Sequence, residues 1–227
     1  MDSIPSAPVT PVAHYPKWRW IFPPLYVVIF LAPGWIFFSE RGGLSWLNRL
    51  DAHNWTGRIF PLFGLYAITL VWFQVMLGSL LPLWRKIFPK IFLFHRAEGL
   101  FALLFALTHP SLLLVTVGLR SYIARDFVAP EQVKFLYFGY TALFIMLLTV
   151  TTALLMKRKI LSRWWRKIHI LNYVVFAAAW IHSYNLGSDV QSTGLKYLWF
   201  GYGLTVLIAI ALRLMRQPKM IRHAPQP

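Results

Sequence analysis

Long apolar stretches dominate the chain, and short connections between them hold nearly all of the charged residues. A helix needs about 20 mostly apolar residues to cross the hydrocarbon core of a bilayer. Six stretches come close to that length: 21–38, 59–81, 99–119, 135–156, 168–186 and 197–212. The alternation of apolar and polar residues that is typical of membrane β-barrels is missing. The pattern predicts an all-α integral membrane protein, a bundle of six transmembrane helices.

The predicted transmembrane domain, residues 21–213, lies between two polar segments. Residues 1–20 are rich in Pro and Ser, which predicts a flexible arm, and residues 214–227 form a short basic tail. The first apolar stretch lacks the charged start and small-residue cleavage site of a signal peptide, so we expect it to be retained.

Composition excludes a soluble domain of ordinary type. Hydrophobic residues make up 58% of the 227-residue chain and charged residues only 13%, too few to cover a soluble fold of this size with polar groups. Cysteine is absent. The sequence therefore excludes disulfides, thiolate metal sites, iron–sulfur clusters and c-type haem attachment.

The basic residues fall mainly in alternate connections, which predicts the orientation in the membrane. Sixteen of the 23 Lys and Arg lie in the two termini, the second-to-third connection and the fourth-to-fifth connection. Because basic residues mark the cytoplasmic face, both termini are predicted to be cytoplasmic. The net charge of +16 then indicates topology and contact with anionic lipid rather than nucleic-acid binding.

Four of the seven histidines fall in or beside the third and fifth predicted spans: His95, His109, His169 and His182. His95 and His109 are fourteen residues apart, a rise of about 21 Å on a helix, and the other two are thirteen apart, about 19.5 Å. Both spans run in the same direction, so the first histidines share one depth and the second histidines another. Two facing His pairs, stacked across the bilayer, are what two b-type haems need.

The positions of the histidines around each helix axis agree less well with two stacked haem sites than their depths do. Fourteen residues return His109 to within about 40° of the face of His95, but thirteen residues leave His182 about 140° from His169 on an ideal helix. A π-bulge, a helix tilt or different imidazole rotamers must supply the difference.

The segments that carry these histidines resemble a known family. FHRAEGLFALLFALTHP at residues 94–110 and WWRKIHILNYVVFAAAWIHS at residues 164–183 are similar to the His-bearing third and fifth helices of the ferric reductase-like transmembrane family. That family includes ferric reductases, NADPH oxidases and the haem-binding membrane subunit of the periplasmic methionine sulfoxide reductase system. HNWTGR at residues 53–58 resembles the last of these, whereas the full set of four histidines is closer to the two-haem oxidases and the ferric reductases.

The resemblance implies that His95 and His169 are the axial ligands of an inner haem b, and His109 and His182 those of an outer one. It also implies transmembrane electron transfer, as in a cytochrome b of the bacterial inner membrane. The family's flavin and NADPH sites belong to a soluble domain for which this chain shows no segment, so FMN or FAD is expected on a separate cytoplasmic flavin reductase. The acceptor would be a periplasmic reductase partner, ferric iron or oxygen.

Several basic residues flank the proposed ligands and suit the anionic propionates of haem. These are Arg96 and Arg166 at the inner end and Arg120 at the outer end. For each, a role in topology or in contact with lipid headgroups is the competing interpretation. Glu98, one turn after His95, could orient an imidazole, relay a proton or pair with Arg96.

Two other functions remain open from sequence. A transporter could use the membrane histidines and Glu98 to bind a divalent cation or relay protons, although transporters usually show internal repeats or broken helices. A quinone-linked cytochrome b would keep the haems and change the electron donor.

Overall fold

A computed structural model of the protein describes residues 17–51, 54–155 and 163–215. Within these ranges the chain forms helices and no β-strand, which confirms the all-α prediction. The α-helices are α1 (Phe22–Ser39), α2 (Trp55–Ser79), α3 (Leu81–Ile87), α4 (Ile91–Ala124), α5 (Val133–Leu154), α6 (Trp165–His169), α7 (Asn172–Leu186), α8 (Ser188–Ser192) and α9 (Leu195–Met215). Short 3₁₀ helices cover Lys17–Ile21, Gly43–Arg49 and Pro130–Gln132.

Five helical stretches in the described residues are long and apolar enough to cross a membrane. They are Arg19–Ser39, α2, α4, Pro130–Leu154 and α9, and they match the first four predicted spans and the sixth. The predicted fifth span is divided between α6 and α7, and α7 has only 15 residues. The chain is thus a multi-pass membrane protein, with five of the six predicted crossings supported by helix length.

The division between α6 and α7 is a tightly wound turn. The N–H of Leu171 donates to the carbonyl of Ile168 at 2.9 Å, and the N–H of Tyr173 donates to that of Ile170 at 3.1 Å. Both bonds reach three residues back instead of four, the pattern of a 3₁₀ turn. This turn shortens the regular helix and brings α7 below the length of a typical span.

Helix α4 extends beyond both ends of the predicted third span. It begins at Ile91 because the polar segment before residue 99 continues the helix, with the buried carboxylate of Glu98 accepting hydrogen bonds from Tyr26 and Gln74 at 3.0 and 2.7 Å. Near the C-terminal end of α4, Gly118 has φ 79° and ψ 158°, a backbone conformation that L side chains rarely adopt. The regular helix is therefore interrupted there, and a short helical segment follows as far as Ala124.

The core of the bundle lies around α2. Every residue from 67 to 73 is buried, so this helix is covered on all sides over two turns. Helix α2 packs most extensively against α4 and also contacts α1, α7 and α9, while α5 packs mainly against α7. Helices α2 and α5 therefore support the three histidine-bearing helices, α4, α6 and α7.

Helix α9 packs against the core through Trp and Tyr side chains that also form hydrogen bonds. The ring of Trp72 stacks on that of Tyr202 with centroids 4.6 Å apart, and its indole N–H donates to Thr205 at 2.9 Å. Trp199 is fully buried and donates to the hydroxyl of Ser183 on α7 at 2.7 Å. Satisfying these polar atoms inside the bundle is necessary because lipid offers no partners.

The outward faces of the helices are apolar, as contact with lipid requires. Large exposed side chains include Trp35 on α1, Leu104 on α4, Phe144 on α5 and Leu207 on α9. The predicted N-terminal arm lies outside the described residues up to residue 16, and so do His53 and the tail from residue 216.

Candidate functional site

The four membrane histidines form two facing pairs. His95 of α4 faces His169 of α6 with ring centroids 6.1 Å apart and planes at 82°. His109 of α4 faces His182 of α7 with ring centroids 6.3 Å apart and planes at 83°. The fold thus brings these residues together in the couples that the depth argument predicts, and we name them the inner and the outer pair after the predicted orientation.

The separation within each pair suits one metal ion bound from both sides. With metal–imidazole bonds of about 2.0 Å and roughly 1.1 Å from a ring nitrogen to the ring centre, two axial imidazole centroids lie about 6 Å apart. Among the described residues, no three of His, Asp or Glu cluster to make a metal centre of another kind. The arrangement is the one that two-sided ligation of haem iron needs.

The turn between α6 and α7 reduces the angular mismatch between His169 and His182. Residues in a 3₁₀ turn advance by about 120° each instead of about 100°. Several tightened residues between Ile168 and Tyr173 rotate His182 back toward the face of His169. Tighter winding, and not a π-bulge, therefore contributes to the alignment of the two levels.

The outer histidines fit into two matching notches. The Nδ1 atom of His109 lies 2.9 Å from the carbonyl oxygen of Phe60, and that of His182 lies 3.0 Å from the carbonyl oxygen of Phe135. Four residues after each Phe is a glycine, Gly64 on α2 and Gly139 on α5. A Cβ at these glycines would lie 2.9 Å from the His109 ring and 2.7 Å from the His182 ring, too close for an alanine without a shift.

These contacts decide which nitrogen of each outer histidine is free. A carbonyl oxygen can only accept a hydrogen bond, so Nδ1 carries the proton in His109 and His182. The lone pair is then on Nε2, the nitrogen available to a metal. Hydrogen bonds of this kind orient metal-binding histidines and increase their basicity.

The inner pair is held differently. A Cβ at Gly78 would lie 3.7 Å from the ring of His95, an ordinary contact. The Nδ1 atom of His95 is buried without a hydrogen-bond partner among the described residues. The Nδ2 atom of Asn172 lies 3.3 Å from Nδ1 of His169, and its Oδ1 accepts from Thr149 at 2.7 Å.

Sequence reasoning missed Gly64 and Gly78, although the sequence carries a signal for them. The segments FPLFG at residues 60–64 and FLYFG at residues 135–139 supply the two notches, one from α2 and one from α5. On α2, Gly64 and Gly78 are fourteen residues apart, the same interval as His109 and His95 on the antiparallel α4. Matching intervals on antiparallel helices place a glycine beside each histidine.

Each His pair lines its own cavity. The outer cavity, about 550 Å³, and the inner cavity, about 320 Å³, both lie in the size range of small-molecule and cofactor sites. Val71, Met146 and Val175 line both, so they form the partition between them. Phe101 and Phe176 are aromatic residues between the two histidine pairs along the chain, but neither of them lines a cavity.

The inner cavity is lined by three arginines: Arg96, Arg166 and Arg213. Sequence reasoning counted Arg213 only as a topology signal, but its guanidinium donates to the hydroxyl of Tyr173 at 2.8 Å. That hydroxyl in turn lies 2.7 Å from the hydroxyl of Ser79. This chain of contacts holds Arg213 at the cavity, where it could meet an anionic group.

The outer cavity has no Lys or Arg in its lining among the described residues. Arg120, the predicted outer partner of a propionate, is exposed and lies outside this lining. The charged residue of the lining is Asp189, which forms an ion pair with Arg41 at 2.7 Å. Neutral polar groups, such as those of Tyr122, Tyr140 and Gln132, remain for the polar edge of a ligand.

The described part of the HNWTGR segment secures α2 against α4 at the outer end. The hydroxyl of Thr116 donates to that of Thr56 at 3.0 Å. A Cβ at Gly57 would lie 2.8 Å from the Cγ2 atom of Thr116, so this glycine permits close approach of the helices.

The residues present fit haem on three counts: facing imidazoles, adjoining apolar cavities, and glycines that leave room for the rings. The inner cavity also offers arginines to carboxylates, whereas the outer one offers neutral groups.

Comparison with known proteins points the same way. No curated protein and no solved structure matches the chain. The family described as ferric reductase like transmembrane component matches residues 63–180, just over half of the chain. The matched stretch includes His95, His109 and His169 and the two notch glycines, Gly64 and Gly139, and it ends within α7, two residues before His182. This protein therefore belongs to the family of ferric reductase like transmembrane components.

Proposed function

We propose that this protein is a b-type cytochrome that transfers electrons across a membrane through two haems. The inner haem would be held by His95 and His169, and the outer one by His109 and His182. The observation that carries the proposal is the pair of facing histidines at each of two depths, with centroids 6.1 and 6.3 Å apart. Family membership suggests transmembrane electron transfer in general, and domains of this family typically bind haem.

Haem bound at the two histidine pairs would supply one-electron chemistry and so a path through the hydrocarbon core. The protein supplies position and surroundings. The two outer imidazoles are oriented by backbone carbonyls on α2 and α5. Arg96, Arg166 and Arg213 are suited to hold the propionates of the inner haem. The apolar side chains of Val71, Met146 and Val175 separate the two sites.

The proposed topology has six crossings, with α6 and α7 together as the fifth. Tyr173, near the start of α7, lies at the inner cavity, and Leu186, at its end, lies at the outer cavity. Helix α7 therefore extends from the inner cavity to the outer one, which supports a fifth crossing. With six crossings both termini are on one side, and the distribution of Lys and Arg favours the cytoplasm of a bacterial cell.

The proposed electron donor is a separate cytoplasmic flavoprotein that carries FMN or FAD. Exposed basic residues at the inner end, including Arg163 and Lys167, would attract an acidic partner surface. The acceptor on the outer side is a periplasmic reductase, ferric iron or oxygen.

Haem quantification tests this proposal. Purified protein from haem-replete cells is expected to contain about two non-covalent haems per chain and to show a b-type spectrum on reduction. His95→Ala and His169→Ala are expected to remove the same haem, and His109→Ala and His182→Ala the other. Colourless protein would refute the cytochrome and favour the cation or proton transporter; a single haem would refute one of the two sites.

A further inference from the structure

The linings of the two cavities differ in charge. Three arginines line the inner cavity, and its described lining contains no carboxylate. One of them, Arg213, is held at this lining by its hydrogen bond to the hydroxyl of Tyr173 at 2.8 Å. In the described outer lining the only charged group is Asp189, and its ion pair with Arg41 is neutral overall. The surroundings of the inner site are therefore the more positive.

The solvent exposure of each charged side chain determines how strongly water screens its effect on a nearby site. The side chains of Arg41 and Asp189 are only 23% and 15% exposed, so water screens them less than the exposed arginines of the inner site. A change of charge at the Arg41–Asp189 pair should therefore be felt strongly in the outer cavity.

The hydrogen bonds of the ligands also differ between the two sites. His109 and His182 each donate from Nδ1 to a backbone carbonyl. Such donation makes an imidazole a stronger electron donor to a metal, which favours the oxidised form. His95 has no partner for Nδ1 among the described residues. The group nearest Nδ1 of His169 is the amide nitrogen of Asn172 at 3.3 Å, which donates and does not accept. Among the described residues, the inner site therefore lacks both stabilising contacts of the outer site.

Both differences act in the same direction. Positive charge near a haem favours the reduced form, and basic ligands favour the oxidised form. We infer, on the basis of the proposed function, that the His109–His182 site holds the haem of lower reduction potential and the His95–His169 site the haem of higher potential.

This order has a consequence for transfer. An electron that moves from the inner to the outer haem passes to the site of lower potential, a step that is unfavourable on its own. In the proposed orientation it also moves toward the positive side of an inside-negative membrane, which favours the step. The outer haem is then the stronger reductant, at the face where an acceptor would bind.

Potentiometric titration of the purified holoprotein, followed by the b-type absorbance, tests the inference. The wild-type curve should contain two one-electron components. His109→Ala should lose the lower component, and His95→Ala should lose the higher one. Asp189→Asn should raise the lower component alone, because it leaves the charge of Arg41 uncompensated, and Arg41→Gln should lower it.

Two further variants separate charge from structure. The double variant Arg41→Gln/Asp189→Asn removes the ion pair but keeps its net charge, so the lower component should remain close to the wild-type value. Glu131→Gln removes an exposed carboxylate outside the cavity lining and should shift neither component.

The inference is overturned if His109→Ala loses the higher component, if the two components coincide, or if Asp189→Asn shifts both equally. It also fails if the double variant shifts the curve as far as either single variant. These results leave the proposed function intact, since two haems would still be bound. A preparation with one haem or none refutes the function itself, and the inference with it.

Discussion

At the residue scale, the most specific feature of the protein is the contact between a glycine and an imidazole. Gly64 and Gly139 lie where any side chain would meet the ring of an outer histidine. The same two helices supply the carbonyl oxygens that orient these rings. The same short segments of α2 and α5 therefore determine both the room for each outer imidazole ring and which of its nitrogens carries the proton.

Substitution of these glycines should remove one haem selectively. Gly64→Ala or Gly139→Ala places a Cβ less than 3 Å from His109 or His182, which must move. We expect about one haem per chain in place of two, with the inner component of the spectrum unchanged. Haem quantification and reduced-minus-oxidised spectra measure the result.

Two alanine variants serve as controls for this experiment. Gly78→Ala brings a Cβ to 3.7 Å from the ring of His95, and Gly201→Ala meets nothing within 4 Å. Both should retain two haems, and both gain about 1 kcal/mol of helix propensity. Two haems with an unchanged spectrum in Gly64→Ala would show that the notch is not needed.

At the scale of the elements, a buried polar cluster joins α1, α2 and α4. The carboxamide of Gln74 donates to both the carboxylate of Glu98, at 2.7 Å, and the carbonyl of His95, at 2.8 Å. Tyr26 of α1 donates to the other carboxylate oxygen at 3.0 Å. The cluster allows α4 to begin a full two turns before its apolar stretch. It also makes pairing of Glu98 with Arg96 unnecessary.

Removal of one partner from this cluster should be costly. Gln74→Leu leaves a carboxylate oxygen of Glu98 buried without a partner, and we expect a loss of about 1–3 kcal/mol in the free energy of unfolding. The triple variant Tyr26→Phe/Gln74→Leu/Glu98→Leu replaces all three polar side chains by apolar groups and should recover much of that loss. Denaturant unfolding in mixed micelles measures both values. A triple variant less stable than Gln74→Leu would contradict this account.

At the scale of the whole molecule, charge is divided between the two ends. Exposed Arg163 and Lys167 lie near the inner cavity, whereas Asp189 lies at the outer one. Attraction between exposed charges is screened within about 10 Å at 0.1 M salt. A donor that docks at the inner end should therefore depend on ionic strength.

Neutralisation of the inner end should slow reduction by a flavoprotein without loss of haem. Arg163→Gln/Lys167→Gln is expected to lower the rate by about tenfold at low salt, within the range of electrostatic steering, and to weaken its salt dependence. Stopped-flow reduction in reconstituted vesicles, with the donor on one side at a time, measures the rate. Arg49→Gln/Lys134→Gln, an exposed pair at the outer end, is the matched control. Reduction that proceeds only from the outer side would refute the proposed direction.

The sequence by itself determined the helical class, five of the predicted spans and the depth of each histidine. These properties depend on local physics: hydrocarbon requires runs of apolar residues, and the helical rise converts intervals along the chain into distances. The pairing of His95 with His169 and of His109 with His182 followed from depth and direction alone.

Only the tertiary structure decided what depends on rotation and close packing. The 3₁₀ turn before α7, the notches at Gly64 and Gly139, and the partition around Met146 arise where helices distant in sequence meet. The same reason explains why one predicted arginine lies away from the cavities and an unpredicted one lies at a cavity. Arg120 and Arg213 both lie near the ends of helices, but the direction in which each helix faces brings only Arg213 to a cavity. Rotation about a helix axis has no local signature in an almost uniformly apolar sequence, so it is set by contacts between the helices.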